Sequence, residues 1–315
     1  MQEDPAFVLC IENNAIRDQA LLLIESIRAF AGRYSGADIL AIAPRPALGI
    51  DAATRARLER LGATYHEAPL NTHCPDYGSA NRVYAAAWAA EHSAARTLVV
   101  LDSDTLFLDE PELLGEHFDV AARPVDVKGS TTAGPGDEFE PYWQALCGLA
   151  GFPIDRLPFV QTTFDRARVR ASYNGGYCVV RRESGILQRS ADLFTRSVAA
   201  DIRPFKARAG FRMFASTGYV PDLAAQYWGS NQAAFSIAAW SMTRRVRTLG
   251  IRYNVPLHSL AEPERWSEEW AGIAPVHVHY HWMLDLGHRA RTMELLSRLG
   301  VPSDRLEWIS ARRPA

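Results

Sequence analysis

The first hundred residues hold four short apolar runs set apart by helical patterns, and that rhythm restricts the chain to few architectures. Ala6 to Ile11 (AFVLCI), Ala37 to Ala43 (ADILAIA), the shorter Ala63 to His66, and Thr97 to Leu101 (TLVVL) read as strands. Between them, Ala20, Ile24, Ile27 and Ala31 recur at helical spacing, Asp51 is placed to cap a helix ending at Leu61, and Ser79 opens an alanine-rich helix through His92. Strands alternating with helices predict an α/β fold: a Rossmann-like, mostly parallel sheet with helices on both faces. Unbroken apolar runs fit, because a parallel strand is buried on both sides. Ligands of such sheets sit beyond the carboxyl ends of the strands. The positions this rule singles out are Glu12, Asn13 and Asn14, then Asp102 to Asp104, and later His277 to His281.

Further along, the pattern loosens. Residues 123–172 are rich in proline and glycine, and Gly129 to Gly136 is almost all small, which predicts an irregular insertion over the sheet. Within it, Glu138 to Ala150 reads as a helix. Tyr177 to Val180 reads as a strand, and Glu183 to Ala199, Ser230 to Trp240 and Gly287 to Leu299 read as helices, with Ser230 as a cap. Residues 1–290 are expected to form a single catalytic domain, followed by a C-terminal helix and tail over 291–315. The 315 residues suffice for a full core, and a net charge of -2 argues against nucleic acid as a partner. Four cysteines without a CxxC pair suggest reduced thiols. An acidic start without an apolar core, and no run long enough to span a bilayer, make a cytoplasmic location the expectation.

Four segments carry chemistry. Asp102-Ser103-Asp104 breaks two apolar runs, and paired carboxylates there are costly to bury unless ion-paired or metal-bound. Their hard oxygens suit Mn2+ or Mg2+. In Val276 to Trp282 the histidines at 277, 279 and 281 alternate, so a strand would place all three on one face as candidate ligands. In Asn174-Gly175-Gly176 the glycines allow a close backbone approach or a positive φ, and Asn174 is placed to meet a sugar hydroxyl. Asn231 and Gln232 would occupy the first turn of a helix, where polar ligands bind.

In this order the segments resemble the GT-A-fold glycosyltransferases, and among them the family-eight type that uses nucleotide diphosphate sugars. The resemblance implies a GT-A-like domain and a metal held by Asp102, Asp104 and His279. It places donor contacts at Glu12, Asn13, Asn14, Asn81, Arg82, Asp102, Ser103, Asp104, Gly175, Gly176 and His281, and the catalytic group among Asn174, Asn231 and Gln232. It implies a nucleotide diphosphate sugar (UDP- or GDP-sugar) as donor and a sugar, lipid or protein acceptor. The insertion over 123–172 is then expected on the acceptor side, with Asp126, Asp137, Glu138, Tyr142 and Trp143 as an acceptor wall, because aromatic faces suit sugar rings and carboxylates suit hydroxyls. Two departures stand out. Asn231 replaces the family's usual acid, and the glycine and lysine that usually follow the histidine-aromatic pair are missing after His279-Tyr280. The leaving diphosphate then needs another partner, for which His281, Arg82 and Arg289 are candidates. Two other functions fit parts of the pattern. A nucleotidyltransferase would share the fold and carboxylates, but Glu12 to Ala15 is not a basic, glycine-rich phosphate loop. A metal hydrolase could be built on His277, His279 and His281.

Overall fold

The computed structural model describes residues 4–206, 212–285 and 287–312. In chain order the strands are β1 (Pro5–Cys10), β2 (Asp38–Ala43), β3 (Ala63–Glu67), β4 (Thr97–Leu101), β5 (Thr105–Phe107), β6 (Val120–Pro124), β7 (Phe159–Gln161), β8 (Arg168–Arg170), β9 (Tyr173–Arg181), β10 (Met213–Ala215), β11 (Gly218–Val220), β12 (Val246–Thr248), β13 (Val255–Pro256) and β14 (His277–His279). The principal helices are α1 (Ile16–Phe30), α2 (Ala52–Arg60), α3 (Asn81–His92), α4 (Glu140–Ala150), α5 (Ile186–Ala199), α6 (Asp222–Ala225), α7 (Ser230–Met242), α8 (Leu257–Leu260), α9 (Arg289–Arg298) and α10 (Ser303–Ser310).

Seven strands make the central sheet in the order β12-β6-β9-β4-β1-β2-β3. β1 lies parallel to β2 and β4, and β6 parallel to β12; β9 runs against both its neighbours, so the sheet is mostly parallel as expected. Its two faces can be read off β1. Ala6, Val8 and Cys10 pack with α3, α4, α5 and α7, while Phe7, Leu9 and Ile11 pack with α1 and Leu58 of α2. Both sets are almost fully buried, which is why this strand shows an apolar run and no alternation. A third core is built on the small sheet β13-β14-β5, with Val255, Val278 and Leu106 against Leu295, Leu296 and Ile309 of α9 and α10.

The insertion is more ordered than its composition suggests. It begins on β6 of the main sheet, continues into α4 and closes with the hairpin β7–β8. Asp51 caps α2 as predicted, accepting from the Thr54 backbone N–H at 2.7 Å. Ser230 does not cap α7. The residue before the helix is Gly229 at φ 84°, and Ser230 is the first helical residue, with its Oγ accepting from the Tyr142 hydroxyl at 3.1 Å. A left-handed backbone at that turn favours glycine, so conformation settled the boundary over capping chemistry. All four cysteines are free. Among the described residues no helix is long and apolar enough to cross a membrane.

Candidate active site

The carboxyl ends of β1, β2 and β4 open into a cleft of about 540 Å³, closed on its far side by residues 125–131, the hairpin β10–β11 and the segment around His258. Asp102 to Asp104 form the turn at its floor. The turn is tied down on three sides: the Asp102 N–H donates to Gly176 O at 3.2 Å, Ser103 Oγ donates to Cys10 O at 2.6 Å, and the Tyr280 N–H donates to Asp104 O at 3.0 Å. That last bond continues the antiparallel pairing of β14 with β5, where His279 faces Thr105. A strand near the C-terminus is thus stitched to the acidic turn.

This stitching brings Asp104, His279 and His281 together, with one ligand atom from each lying within 4.8 Å of the others. His279 Nε2 is 3.1 Å from Asp104 Oδ1, and His281 Nδ1 is 3.1 Å from Asp104 Oδ2. Asp104 and His279 are each only 6% exposed. Burial opposes a charge on Asp104, but His279 and then His281 outweigh it and hold the carboxyl well below the ordinary range. Burial likewise opposes protonation of His279, and the Asp104 carboxylate reverses it, so His279 titrates above an ordinary imidazole. Both shifts describe one buried ion pair. Two imidazole nitrogens and a carboxylate oxygen around one point form a borderline donor set that fits Mn2+ better than Mg2+.

The three histidines do not share a face as the alternation predicted. β14 ends at His279, and His281 sits beyond it at φ 52°. The backbone leaves the strand there, and this brings His281 back to Asp104. His277 is excluded from the cluster. It is fully buried between Phe107 and Tyr177, with ring centroids at 4.9 and 4.8 Å, and neither ring nitrogen has a hydrogen-bond partner. Burial holds it neutral. His277 therefore serves the aromatic core, and a hydrolase built on all three histidines loses its third ligand.

Asp102 lines the same cleft but stands apart from the three-ligand group and pairs with Arg82 of α3. Arg82 lies flat against Gly175: a Cβ there would come within 1.8 Å of its Nη2. At Gly176 a Cβ would come within 2.3 Å of Asn254 Oδ1 and 2.8 Å of His279 Nδ1. Both glycines lie inside β9, and neither has a positive φ. Their role is close approach. Asn174 Oδ1 accepts from the Gly176 N–H, and its Nδ2 donates to Asp126 Oδ2, both at 3.0 Å. Asp126 also pairs with the buried Arg123.

The remaining expected residues divide. Glu12 is fully buried and receives Arg45 Nε at 2.9 Å and Asn81 Nδ2 at 3.1 Å, with all three lining the cleft. Asn13 and Asn14 do not line it; Asn14 Oδ1 accepts from the Ile16 N–H at the start of α1. Asn231 reaches the cleft, but its amide is committed, accepting from Tyr77 OH at 3.1 Å and donating to Ser79 O at 3.0 Å. Gln232, beside it, makes no side-chain hydrogen bond among the described residues. Of the acceptor wall, Asp126 and Trp143 line the cleft and Asp137, Glu138 and Tyr142 do not. Arg289 lies elsewhere, donating to the carbonyls of Ile309 and Ser310.

Among the lining residues that went unmarked in the sequence are Arg45, His258 and Arg265. Arg45 lies just past the end of β2, where the strand-end rule would have found it. His258 follows the two-residue β13, which leaves no apolar run to read. Its ring is edge-on to His281 at 4.0 Å between centroids. Burial first, and the neighbouring imidazoles next, push His258 down to about 2, so it stays neutral. At the rim Phe214, Tyr219 and Trp282 remain exposed.

The chain matches the Rhodobacterales glycosyltransferase domain over residues 7–208, close to two thirds of its length. That span includes the acidic turn and Asn174 to Gly176, and stops short of α7 and β14. No curated protein matches the chain in sequence. Solved structures similar to it include an active-site mutant of LgtC, at 14% identity and TM-score 0.49, with 93% of this chain and 95% of that one covered. Galactosyltransferase LgtC in complex with donor and acceptor sugar analogues aligns at 14% identity and TM-score 0.48, covering 96% and 99%. Core-mannan synthase A from Aspergillus fumigatus, in its Mn/GDP form, aligns at 8% identity and TM-score 0.48, covering 78% and 72%. With the family model spanning well over half of it, the chain belongs to the Rhodobacterales glycosyltransferase domain family.

Proposed function

We propose that this glycosyltransferase uses a nucleoside diphosphate sugar and a divalent cation, and that Asp104, His279 and His281 hold the cation. The observation that carries this reading is the convergence of those three side chains at the floor of the large cleft. The donor set fits a divalent metal because the carboxylate is already ionised and both histidines face it. To hold a metal, His279 would have to release any proton it shares with Asp104. A bound Mn2+ would supply Lewis-acid stabilisation of the diphosphate.

The chain's own residues do the rest. Glu12, Arg45 and Asn81 form a fixed polar wall at the ends of β1 and β2, suited to the nucleoside. Arg82 keeps Asp102 in place at the floor. Gln232 offers an uncommitted amide on the opposite side, and Asp126, fixed by Arg123 and Asn174, faces the cleft as an acceptor of sugar hydroxyl protons. In the transfer, the bond from the sugar C1 to the diphosphate oxygen breaks with its electron pair on that oxygen. The acceptor hydroxyl oxygen bonds to C1 and releases its proton to solvent. The products are the glycosylated acceptor, the nucleoside diphosphate and a proton.

Calorimetry with UDP and GDP, each with and without Mn2+, tests this. Metal-dependent binding of one of them, abolished by Asp104→Ala in a folded protein, is the expected result. Binding of neither nucleotide, or binding indifferent to both Mn2+ and Asp104→Ala, refutes it.

A further inference from the structure

We infer that Arg265 is the cation that receives the leaving diphosphate; this rests on the nucleoside diphosphate reading above. Among the described residues, four permanently cationic side chains line the cleft: Arg45, Arg82, Lys128 and Arg265. Three of them pair with carboxylates that are less exposed than Glu262, the partner of the fourth. Arg45 holds Glu12, which is 0% exposed. Arg82 holds Asp102 and lies close against Gly175. Lys128 lies 3.0 Å from Asp137, a carboxylate that also accepts from the backbone N–H groups of Phe139 and Ala133. Withdrawing any of these cations would take the counter-charge from a carboxylate more buried than Glu262, at greater cost.

Arg265 differs. Its Nε is 2.8 Å from Glu262 Oε2, one helical turn away, in a pair whose side chains are 34% and 44% exposed. Such a pair contributes little in water and exchanges readily. Nη1 donates to Ser259 Oγ at 3.1 Å, and that hydroxyl lies 3.1 Å from His258 Nε2. His258 in turn stands edge-on to His281. Arg265 is thus on the metal side of the cleft, aimed through short contacts and held by a partner that it can leave. A guanidinium presents paired N–H groups that match two phosphate oxygens, which suits it to a diphosphate taking up the electron pair of the broken bond. Arg289 is occupied elsewhere, at the carbonyls of Ile309 and Ser310, and does not line the cleft.

The test compares the wild-type chain with Arg265→Gln, Arg265→Lys and Glu262→Gln. Affinities for UDP and GDP, and for UMP and GMP, are measured in Mn2+ by calorimetry, with melting points alongside. Arg265→Gln is expected to weaken the diphosphate that the wild type binds by about ten- to hundred-fold, and the matching monophosphate by less than about threefold. Arg265→Lys should recover part of the loss, and Glu262→Gln should bind as tightly as wild type or tighter. Equal diphosphate binding by Arg265→Gln and wild type overturns the arginine assignment and leaves the donor reading standing. So does an equal loss for mono- and diphosphate accompanied by a lowered melting point, which marks a structural role. A wild type that binds neither UDP nor GDP overturns the donor reading and this inference with it.

Discussion

Replacing Gly176 with alanine perturbs the candidate metal group without touching a ligand. The new methyl would lie 2.8 Å from His279 Nδ1 and 2.3 Å from Asn254 Oδ1. Ordinary contact begins near 3.4 Å. The imidazole must therefore retreat by about 0.6 Å, roughly three times the tolerance of a metal-ligand bond. Asn254 cannot absorb the overlap cheaply, since it is buried at φ 48°. Overpacking of this kind costs about 1–3 kcal/mol, and each kcal/mol lowers the melting point of a chain this size by about 2–4 °C. Misplacing a ligand through its support weakens metal binding by about 10–100-fold. Manganese affinity, followed by the paramagnetic resonance signal of free Mn2+, and melting by circular dichroism are the measurements. Gly175→Ala is the matched comparison: the nearest atoms to its methyl all belong to Arg82, so it should keep manganese affinity while disturbing the Arg82–Asp102 pair. A folded Gly176→Ala protein with wild-type manganese affinity refutes the reasoning.

Two further outcomes follow from the same geometry. His277→Phe should keep activity and melt within about 1 kcal/mol of wild type, because two unpartnered buried nitrogens are replaced by an apolar ring in an aromatic cluster, whereas His281→Ala should lose at least about tenfold in turnover; comparable losses in both would return His277 to the ligand set. Asp119 joins the edge strands: burial opposes its charge, but Arg245, Thr243 and Arg181 outweigh it and hold the carboxyl below the ordinary range. A depressed carboxyl stabilises above its unfolded value of about 3.9 and loses that contribution as pH falls through the folded value, so Asp119→Asn should cost about 1–3 kcal/mol at pH 7 and little once the pH has passed below the folded value, read from melting curves across pH; a gap that persists through acid contradicts this.

The parallel half of the fold was legible because its signal is local. The run Thr97 to Leu101 marked β4 residue for residue, and Asp102 to Asp104 had to follow it at the sheet edge. Of the two roles open to the glycines at 175 and 176, close approach or a positive φ, the structure takes the first, and the partners approached, Arg82 and His279, come from distant segments. What sequence spacing could not show is where a strand stops. Alternation at 277, 279 and 281 holds only while the chain stays extended, and the turn at His281 breaks it. Nor could spacing show that His277 would meet Phe107 and Tyr177. His258 and Arg265 lie in helical turns too short to leave a pattern, so only tertiary structure brings them to the cleft.

The bond between β5 and β14 has a consequence for assembly. Asp104 and His279 are 175 residues apart along the chain, and they meet only once the C-terminal segment has docked. The portion that identifies the family, residues 7–208, carries the acidic turn and neither histidine of the candidate site. An ion that holds both ends acts as a clasp between an early-synthesised half and a late one. With no affinity for the open chain, an ion at a hundredfold excess over its dissociation constant adds about 2.7 kcal/mol in favour of the closed arrangement. If the proposed site takes its metal, metal supply would govern how firmly the C-terminal segment stays shut against proteases as well as catalysis.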